Sequence, residues 1–372
     1  MKLGIVVVIL VFLLANFYVF QRMWVLMPPN RLAQIALIAF AVIAVSSLFI
    51  FFILSDHMSI GLSSFFYKIG TSWVFIFLYF FILTVIKDLI RITPLVSRDM
   101  FTHYTRDNWL GLCMAVGFVA MLMVCGYLKY RWKVRVEVPV VTEKILEKRN
   151  SLRVVGISDL HLGYGIGTDE LQKWIKLINE EKPDIVLISG DIIDNSVRPL
   201  NEGDFARYFK DIHAPLGIYA CLGNHEYISG VKESIAFIEK AGIHLLKDSH
   251  VLVDSCFYIV GRDDKTNTNR KPLSDLVKGL DKSKPVILLD HQPYNLEESE
   301  QNNIDLQFSG HTHQGQVWPI SLITNWIYED SHGYLKKGNT NVYVSSGIGI
   351  WGGKFRIGTQ SEYVVFDIKS QP

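Results

Sequence analysis

The sequence has 372 residues, enough for about two domains with a sizeable core, and a formal net charge of +1 at pH 7. Nucleic-acid binding requires a basic face, and this near-neutral balance gives no sign of one, so no nucleic-acid partner is predicted. The four cysteines are scattered without a CxxC pair, so neither a thiolate metal site nor a redox dithiol is indicated.

Hydrophobic residues make up 49% of the chain and are concentrated in its first third. Four apolar segments lie there, at 3–20, 32–54, 69–86 and 109–128. Each is close to the roughly 20 residues that a helix needs to cross a bilayer. The first segment could be a signal peptide, but no small-residue cleavage site follows it. Any single segment could also be a buried core helix. Four in succession predict four transmembrane helices over 1–130, in a multi-pass protein of the cell membrane.

The basic residues between these segments favour one orientation. Arg22 and Arg31 lie in the first loop, Lys68 alone lies in the second, and the third loop carries Lys87, Arg91, Arg98 and Arg106. Because cytoplasmic loops are enriched in Lys and Arg, this distribution predicts that the C-terminal domain is extracytoplasmic. The opposite orientation stays open, because four basic residues directly follow the last segment: Lys129, Arg131, Lys133 and Arg135.

Beyond the membrane segments, the periodicity of the sequence changes. Polar and apolar residues alternate over 130–141, which predicts a first edge strand within a linker at 131–150. Over 151–372 strands are predicted at 152–157, 185–188, 218–222, 243–246, 251–253, 257–260, 286–289, 304–308, 342–345 and 363–368. Helices are predicted at 168–181 (with Thr168 as N-cap), 205–212, 231–241 and 273–280. This order predicts an α/β fold.

Five of the predicted strands run into turns that carry potential metal ligands. The turn residues are Asp159 and His161, Asp191 and Asp194, Asn224 and His225, His291, and His311 and His313. Because sites of open α/β sheets form at the carboxyl ends of strands, these side chains are expected to converge. Mixed Asp, Asn and His ligands suit manganese, iron or zinc better than calcium. Two such ions about 3.5–4 Å apart share a carboxylate and activate a hydroxide that attacks phosphorus.

In content and order, five blocks resemble the calcineurin-like metallophosphoesterase superfamily: Asp159-x-His161, Gly190-Asp191-x-x-Asp194, Gly223-Asn224-His225-Glu226, His291 and Gly310-His311-Thr312-His313. Gly315-Gln316 and residues 343–347 resemble its bacterial membrane-anchored branch. The resemblance implies a four-layer αββα sandwich over 151–372.

The resemblance also implies a role for each turn residue. One metal ion would be bound by Asp159, His161 and His313, the other by Asn224, His291 and His311, with Asp191 bridging them. His225 would stabilise the transition state or protonate the leaving oxygen. Asp194 would orient His225 or a neighbouring loop, although a helix N-cap or a turn carboxylate is an equal alternative.

These features predict a membrane-bound phosphoesterase that cleaves a phosphodiester, diphosphate or phosphomonoester bond with a hydroxide activated by two divalent ions. The membrane segments suggest a lipid-linked or envelope substrate, and a phosphorylated small molecule stays open. A catalytically silent metal-binding sensor or scaffold of the same fold is the alternative. A transporter with a regulatory domain is a weaker one, because the segments contain almost no charge.

Three tryptophans remain outside these assignments. Trp318, Trp326 and Trp351 lie in the late, glycine-rich part of the chain. They either pack beneath long loops, form an apolar wall for a lipid chain, or rest on the bilayer. The sequence does not choose among these interpretations.

Overall fold

The computed structural model describes residues 2–93, 97, 101, 106 and 108–371. Arg98, one of the residues that favoured the predicted orientation, lies outside the described residues. The chain divides into two compact units, Met1–Tyr127 with Gly352–Phe355, and Leu128–Trp351 with Arg356–Pro372.

Four long apolar helices form the first unit: α1 (Lys2–Leu26), α2 (Arg31–Leu54), α3 (Ile60–Ile92) and α4 (Trp109–Arg131). The last four residues of α4 belong to the second unit. A short 3-10 helix, Ser55–His57, follows α2. Each of the four is long and apolar enough to cross a membrane, which confirms the predicted segments, although α3 begins at Ile60 rather than at residue 69. Gly70 lets α2 and α3 approach closely, since a Cβ there would lie 2.6 Å from the Leu48 backbone nitrogen.

The short segment Gly352–Phe355 is grouped with these helices. The Gly352 N–H donates to the Tyr67 hydroxyl at 2.9 Å. The Phe355 ring centroid lies 6.2 Å from that of Phe75. The late part of the chain therefore contributes four residues to the membrane-helix unit.

The second unit contains two six-stranded sheets. The first has the order β1 (Lys133–Thr142), β12 (Ser361–Ser370), β2 (Leu152–Ile157), β3 (Ile185–Ser189), β4 (Ile218–Cys221) and β5 (His244–Leu245). The second has the order β10 (Gly333–Lys337), β11 (Thr340–Val344), β9 (Leu306–Ser309), β8 (Val286–Leu289), β7 (Phe257–Gly261) and β6 (Ser249–Val253). The central strands β2, β3 and β4 are parallel, as are β7, β8 and β9. Their carboxyl ends therefore lie along one edge of each sheet.

The second unit also contains helices, and some of them cover the outer faces of the sheets. The helices of this unit are α5 (Thr168–Glu180), α6 (Arg198–Glu202), α7 (Ala206–Phe209), α8 (Asn224–Ile228), α9 (Val231–Lys240), α10 (Leu273–Leu276), α11 (Glu297–Gln301) and α12 (Ile320–Ile327). Trp174 of α5 packs in a core with β3, and Leu273 of α10 packs in another with β8. Between the sheets, the Phe308 and Phe366 ring centroids lie 5.4 Å apart. These three cores confirm the predicted four-layer αββα arrangement.

Some local predictions were wrong. Thr168 is the first helical residue and not the N-cap, because Gly167 takes the cap position with an extended backbone (φ −99°, ψ −177°). The helix predicted at 273–280 ends at Leu276, and Gly279 has a φ of +83°, which a continuing helix does not allow. The helix predicted at 205–212 spans only Ala206–Phe209. Strand β10 and the helices α6, α8, α11 and α12 were not predicted.

Candidate metal centre

The predicted ligands lie in turns at the carboxyl ends of the strands. Asp159 and His161 follow β2, Asp191 follows β3, Asn224 begins α8 after β4, His291 follows β8, and His311 and His313 follow β9. Five of them have left-handed φ angles between +46° and +70°, namely Asp159, His161, Asp191, His311 and His313. Such a φ costs about 1–3 kcal/mol for a residue other than glycine and is concentrated at functional sites. The unfavourable backbone conformations therefore direct these side chains toward one site.

One cluster of ligand atoms consists of Asp159, His161 and His313. The two histidine Nε2 atoms lie 3.0 Å apart, and Asp159 Oδ1 lies 3.4 Å from the Nε2 of His313. All three side chains are buried. Two ring nitrogens and a carboxylate thus face one small volume, an arrangement that a divalent cation stabilises.

A second cluster consists of Asp191, His291 and His311, and Asn224 joins it through Oδ1, which lies 2.8 Å from the Nδ1 of His311. The Nδ1 of His291 lies 2.7 Å from the Ser189 carbonyl oxygen. Because a carbonyl oxygen can only accept, that nitrogen carries the proton, which fixes the tautomer and leaves Nε2 able to bind a metal. The His291 Nε2 atom is buried and makes no hydrogen bond within the part of the chain that the structure describes. These residues therefore fit a metal ion.

Asp191 of the second cluster also faces the first, and its carboxylate forms a further group of possible ligands with His161 and His225. Its Oδ2 atom is 3.0 Å from the Nε2 of His291 and 3.8 Å from the Nε2 of His161. Glycine is required beside it, because a Cβ at Gly223 would lie 2.2 Å from Asp191 Oδ1. One carboxylate thus faces a histidine of each cluster.

His225 lies next to the first cluster, and Asp194 holds its ring. The Nδ1 of His225 donates to the Asp194 carbonyl oxygen at 2.7 Å, and the Asp194 Oδ1 lies 3.4 Å from the Nδ1 of both His225 and His161. The centroids of the two histidine rings are 4.5 Å apart. Asp194 is buried and caps no helix, since α6 begins at Arg198 with Val197 in the cap position. The N-cap alternative for Asp194 is therefore wrong.

The surroundings give these histidines different charges. Burial lowers the pKa of His311 to about 4 and also lowers the pKa of His313. Both rings are therefore neutral, the form in which imidazole binds metals. Burial opposes the charged form of His225, but the carboxylates of Asp191 and Asp194 outweigh it and raise its pKa to about 10. The pKa of His225 is thus raised, as is that of His291, where the carboxylate of Asp191 outweighs burial, whereas the pKa values of His311 and His313 are lowered.

Glu226 organises two of the turns, a role that the sequence analysis did not assign. Its buried carboxylate accepts hydrogen bonds from four backbone N–H groups, those of Gly223 (2.7 Å), Asp191 (3.1 Å), Ile192 (2.8 Å) and Ile193 (3.0 Å). It thereby ties the turn after β3 to the turn after β4. The signal was its place in the block Gly223-Asn224-His225-Glu226, where a carboxylate follows three turn residues.

Arg356 is a second residue that the sequence analysis missed. Its buried guanidinium donates hydrogen bonds to the carbonyl oxygens of His313, Ser346, Gly347 and Gly349 and to the hydroxyl of Ser361. Burial lowers the pKa of Arg356 to about 10. It fixes the backbone of a metal-ligand turn, and no neighbouring motif in the sequence marks it.

The chain is similar in sequence to known proteins. Residues 152–315 match the protein family described as Calcineurin-like phosphoesterase. A "Transmembrane protein with metallophosphoesterase domain" from Danio rerio is 31% identical over 355 residues, which cover 90% of this chain and 80% of that protein. An "Uncharacterized metallophosphoesterase" from Aquifex aeolicus is 30% identical, over 68% of this chain and 99% of that protein. The crystal structure of TT1561 of Thermus thermophilus aligns with a TM-score of 0.36 at 14% identity, covering 53% of this chain and 90% of that one, too low to carry an argument.

Proposed function

Because the chain belongs to the calcineurin-like phosphoesterase family and is therefore a metallophosphoesterase, we propose that it hydrolyses a phosphodiester, diphosphate or phosphomonoester bond with two divalent metal ions. The position of Asp191 carries the proposal, since its Oδ2 atom lies 3.0 Å from His291 Nε2 and 3.8 Å from His161 Nε2. A pair of metal ions needs a carboxylate between its two sets of ligands. The turn after β3 supplies one.

Each ion is assigned to one cluster. Asp159, His161 and His313 would hold one, Asn224, His291 and His311 would hold the other, and Asp191 would contact both. When bound, such ions supply Lewis acidity, which acidifies water and polarises the phosphoryl oxygens. The nitrogen-rich ligand set favours manganese, iron or zinc.

His225 is proposed to act on the substrate and not to bind metal. Its Nδ1 is occupied by the Asp194 carbonyl oxygen, so its Nε2 is the nitrogen left to meet a ligand. A protonated ring held in this way donates a hydrogen bond to a phosphoryl oxygen and can pass a proton to the leaving oxygen. Asp194 would serve as a positioning residue, because it fixes the ring of His225.

The substrate and the side of the membrane are proposed from the first unit. The chain is a membrane protein with four helices long enough to span, and a phosphorylated lipid is the substrate that such an anchor favours. The basic residues of the first loop, Arg22 and Arg31, favour a catalytic unit that lies outside the cytoplasm and is anchored in the cell membrane. A reporter enzyme that is active only outside the cytoplasm should be active when fused to the C-terminus. Activity of a fused reporter that works only in the cytoplasm would contradict the proposed side.

Hydrolysis itself is tested with the full chain in detergent. Loaded with Mn²⁺, it should cleave bis(p-nitrophenyl) phosphate or p-nitrophenyl phosphate, and Asp191→Ala should reduce the rate to the background. Asp211→Ala, at an exposed carboxylate outside the clusters, should keep the wild-type rate. A metal-loaded wild type that binds its ions but hydrolyses no phosphoester would favour the sensor or scaffold alternative.

A further inference from the structure

Helix α12 is apolar and yet none of its eight residues is buried. Trp326 is 86% exposed, Leu322 58%, Ile323 55% and Ile327 49%. Ile323, Trp326 and Ile327 follow Leu322 by one, four and five residues, so all four side chains lie on one side of the helix. Together with Trp318, which precedes the helix and is 50% exposed, they form what we call the α12 patch. The interpretation that Trp326 packs beneath a loop is therefore wrong.

The α12 patch is unusual for a surface in contact with water. No charged residue occurs between Val317 and Ile327. Because burial of a large apolar side chain is favourable, five exposed together favour an apolar partner. Exposed apolar groups of this kind mark sites that bind proteins, ligands or membranes.

We infer that the α12 patch is a membrane-binding surface that inserts into the lipid–water interface. The helix is about 12 Å long at 1.5 Å per residue, too short to cross about 30 Å of hydrocarbon. Short apolar helices with tryptophan lie in the interface, with that face about 5–10 Å below the headgroup boundary.

The bilayer is favoured over a second copy of the chain or a partner protein for two reasons. The four membrane-spanning helices keep every copy of the chain at a lipid surface. The late region that carries α12 also contributes Gly352–Phe355 to the membrane-helix unit, directly after Trp351. Lipid is apolar and always present near the patch, so we assign it as the occupant.

The patch is attached to the metal-ligand turn. Gly315 lies against the backbone of α12, since a Cβ there would be 2.4 Å from the Ser321 nitrogen. On the same helix, Asn325 accepts a hydrogen bond from Ser331, whose carbonyl oxygen accepts one from Thr312. Seating α12 in lipid would therefore hold the turn of His311 and His313 at the surface of the bilayer, where phosphate headgroups lie. This last step rests on the proposed function.

The test measures position and not activity, so a failure of hydrolysis would leave it intact. The full chain carries exposed Cys113 and Cys125, which are changed to serine, whereas Cys221 and Cys256 are buried. A nitroxide is then placed at Trp326→Cys or Leu322→Cys in liposomes. The control label is Lys282→Cys, an exposed position before β8, at the opposite end of that sheet from the metal site.

We expect labels at 322 and 326 to collide several-fold more often with oxygen than with a water-soluble nickel complex, and the label at 282 to show the reverse. Agreement between the two α12 positions guards against a local effect of one substitution. The inference would be overturned if the labels at 322 and 326 collided with the nickel complex as often as the control label does. Labels shielded from both reagents, which would indicate a protein partner, would also overturn it, as would dipolar broadening between labels, which would indicate a second copy.

Discussion

Glu226→Gln is predicted to loosen the metal centre although it exchanges only one carboxylate oxygen for an amide nitrogen. In the native protein Oε1 accepts from the N–H groups of Ile192 and Ile193, and Oε2 accepts from those of Asp191 and Gly223. Glutamine can accept only on its single oxygen. Two backbone N–H groups would then face an NH₂ group, donor against donor.

The size of the effect follows from those two groups. A buried donor without an acceptor costs about 1–3 kcal/mol, so the free energy of unfolding should fall by about 2–6 kcal/mol. Relaxation of the two turns favours the lower part of that range. The same relaxation moves Asp191 and Asn224, and loss of a group that orients metal ligands lowers metal affinity about 10- to 100-fold.

Two measurements on the full chain in detergent check this reasoning. Denaturant unfolding of the metal-free protein, followed by fluorescence, gives the stability, and calorimetric titration with Mn²⁺ gives the affinity. Glu239→Gln, at an exposed position on α9, is the matched control and should change neither. Wild-type stability together with wild-type affinity in Glu226→Gln would refute the role of the carboxylate as an acceptor of four N–H groups.

Three further predictions concern other parts of the second unit. His311→Ala and His313→Ala should each remove one ion and retain the other, because the rings lie in different clusters; loss of both ions in either variant would contradict the assignment. Arg356→Lys replaces five donated hydrogen bonds by at most three, and should lower the free energy of unfolding by about 2–6 kcal/mol in a denaturant titration; an unchanged midpoint and slope would argue against its role. Burial opposes the charge of Glu362, but its hydrogen bond with His332 outweighs burial and holds its pKa below 4.5, so it adds stability above that pH that is lost as pH falls through the folded-state pKa. Glu362→Gln should therefore flatten the acid side of the melting-temperature profile of metal-free protein, and parallel profiles would count against this.

The features that could be predicted from the sequence depend on residues that are close together in the chain. A membrane helix needs an apolar run of about 20 residues, which is visible without any tertiary information. The proposed metal ligands could be picked out because each follows an apolar strand, so that Asp159 or His311 is placed at a sheet edge by its own neighbours. Because the carboxyl ends of parallel strands lie at one edge of a sheet, the turns that carry these residues then lie close together.

The features that were missed depend on contacts distant in the chain. Arg356 is held by backbone carbonyl oxygens, which every residue possesses, so no side-chain pattern marks its acceptors. The partners of Glu226 come from two turns more than 30 residues apart in the chain. Helix α12 was missed because its eight residues, five of them apolar, are too few to show a period, and Thr168 was misplaced because Gly167 competes for the same cap position.

The paired metal centre around Asp191 is tested most directly by counting the ions and measuring their coupling. The full chain is loaded with Mn²⁺, its metal content is determined per chain, and its electron paramagnetic resonance spectrum is recorded. We expect two ions per chain with the exchange-coupled spectrum of a manganese pair, and loss of the coupling in Asp191→Ala. One ion per chain, or two with the spectrum of isolated Mn²⁺ in the wild type, would contradict the proposed centre.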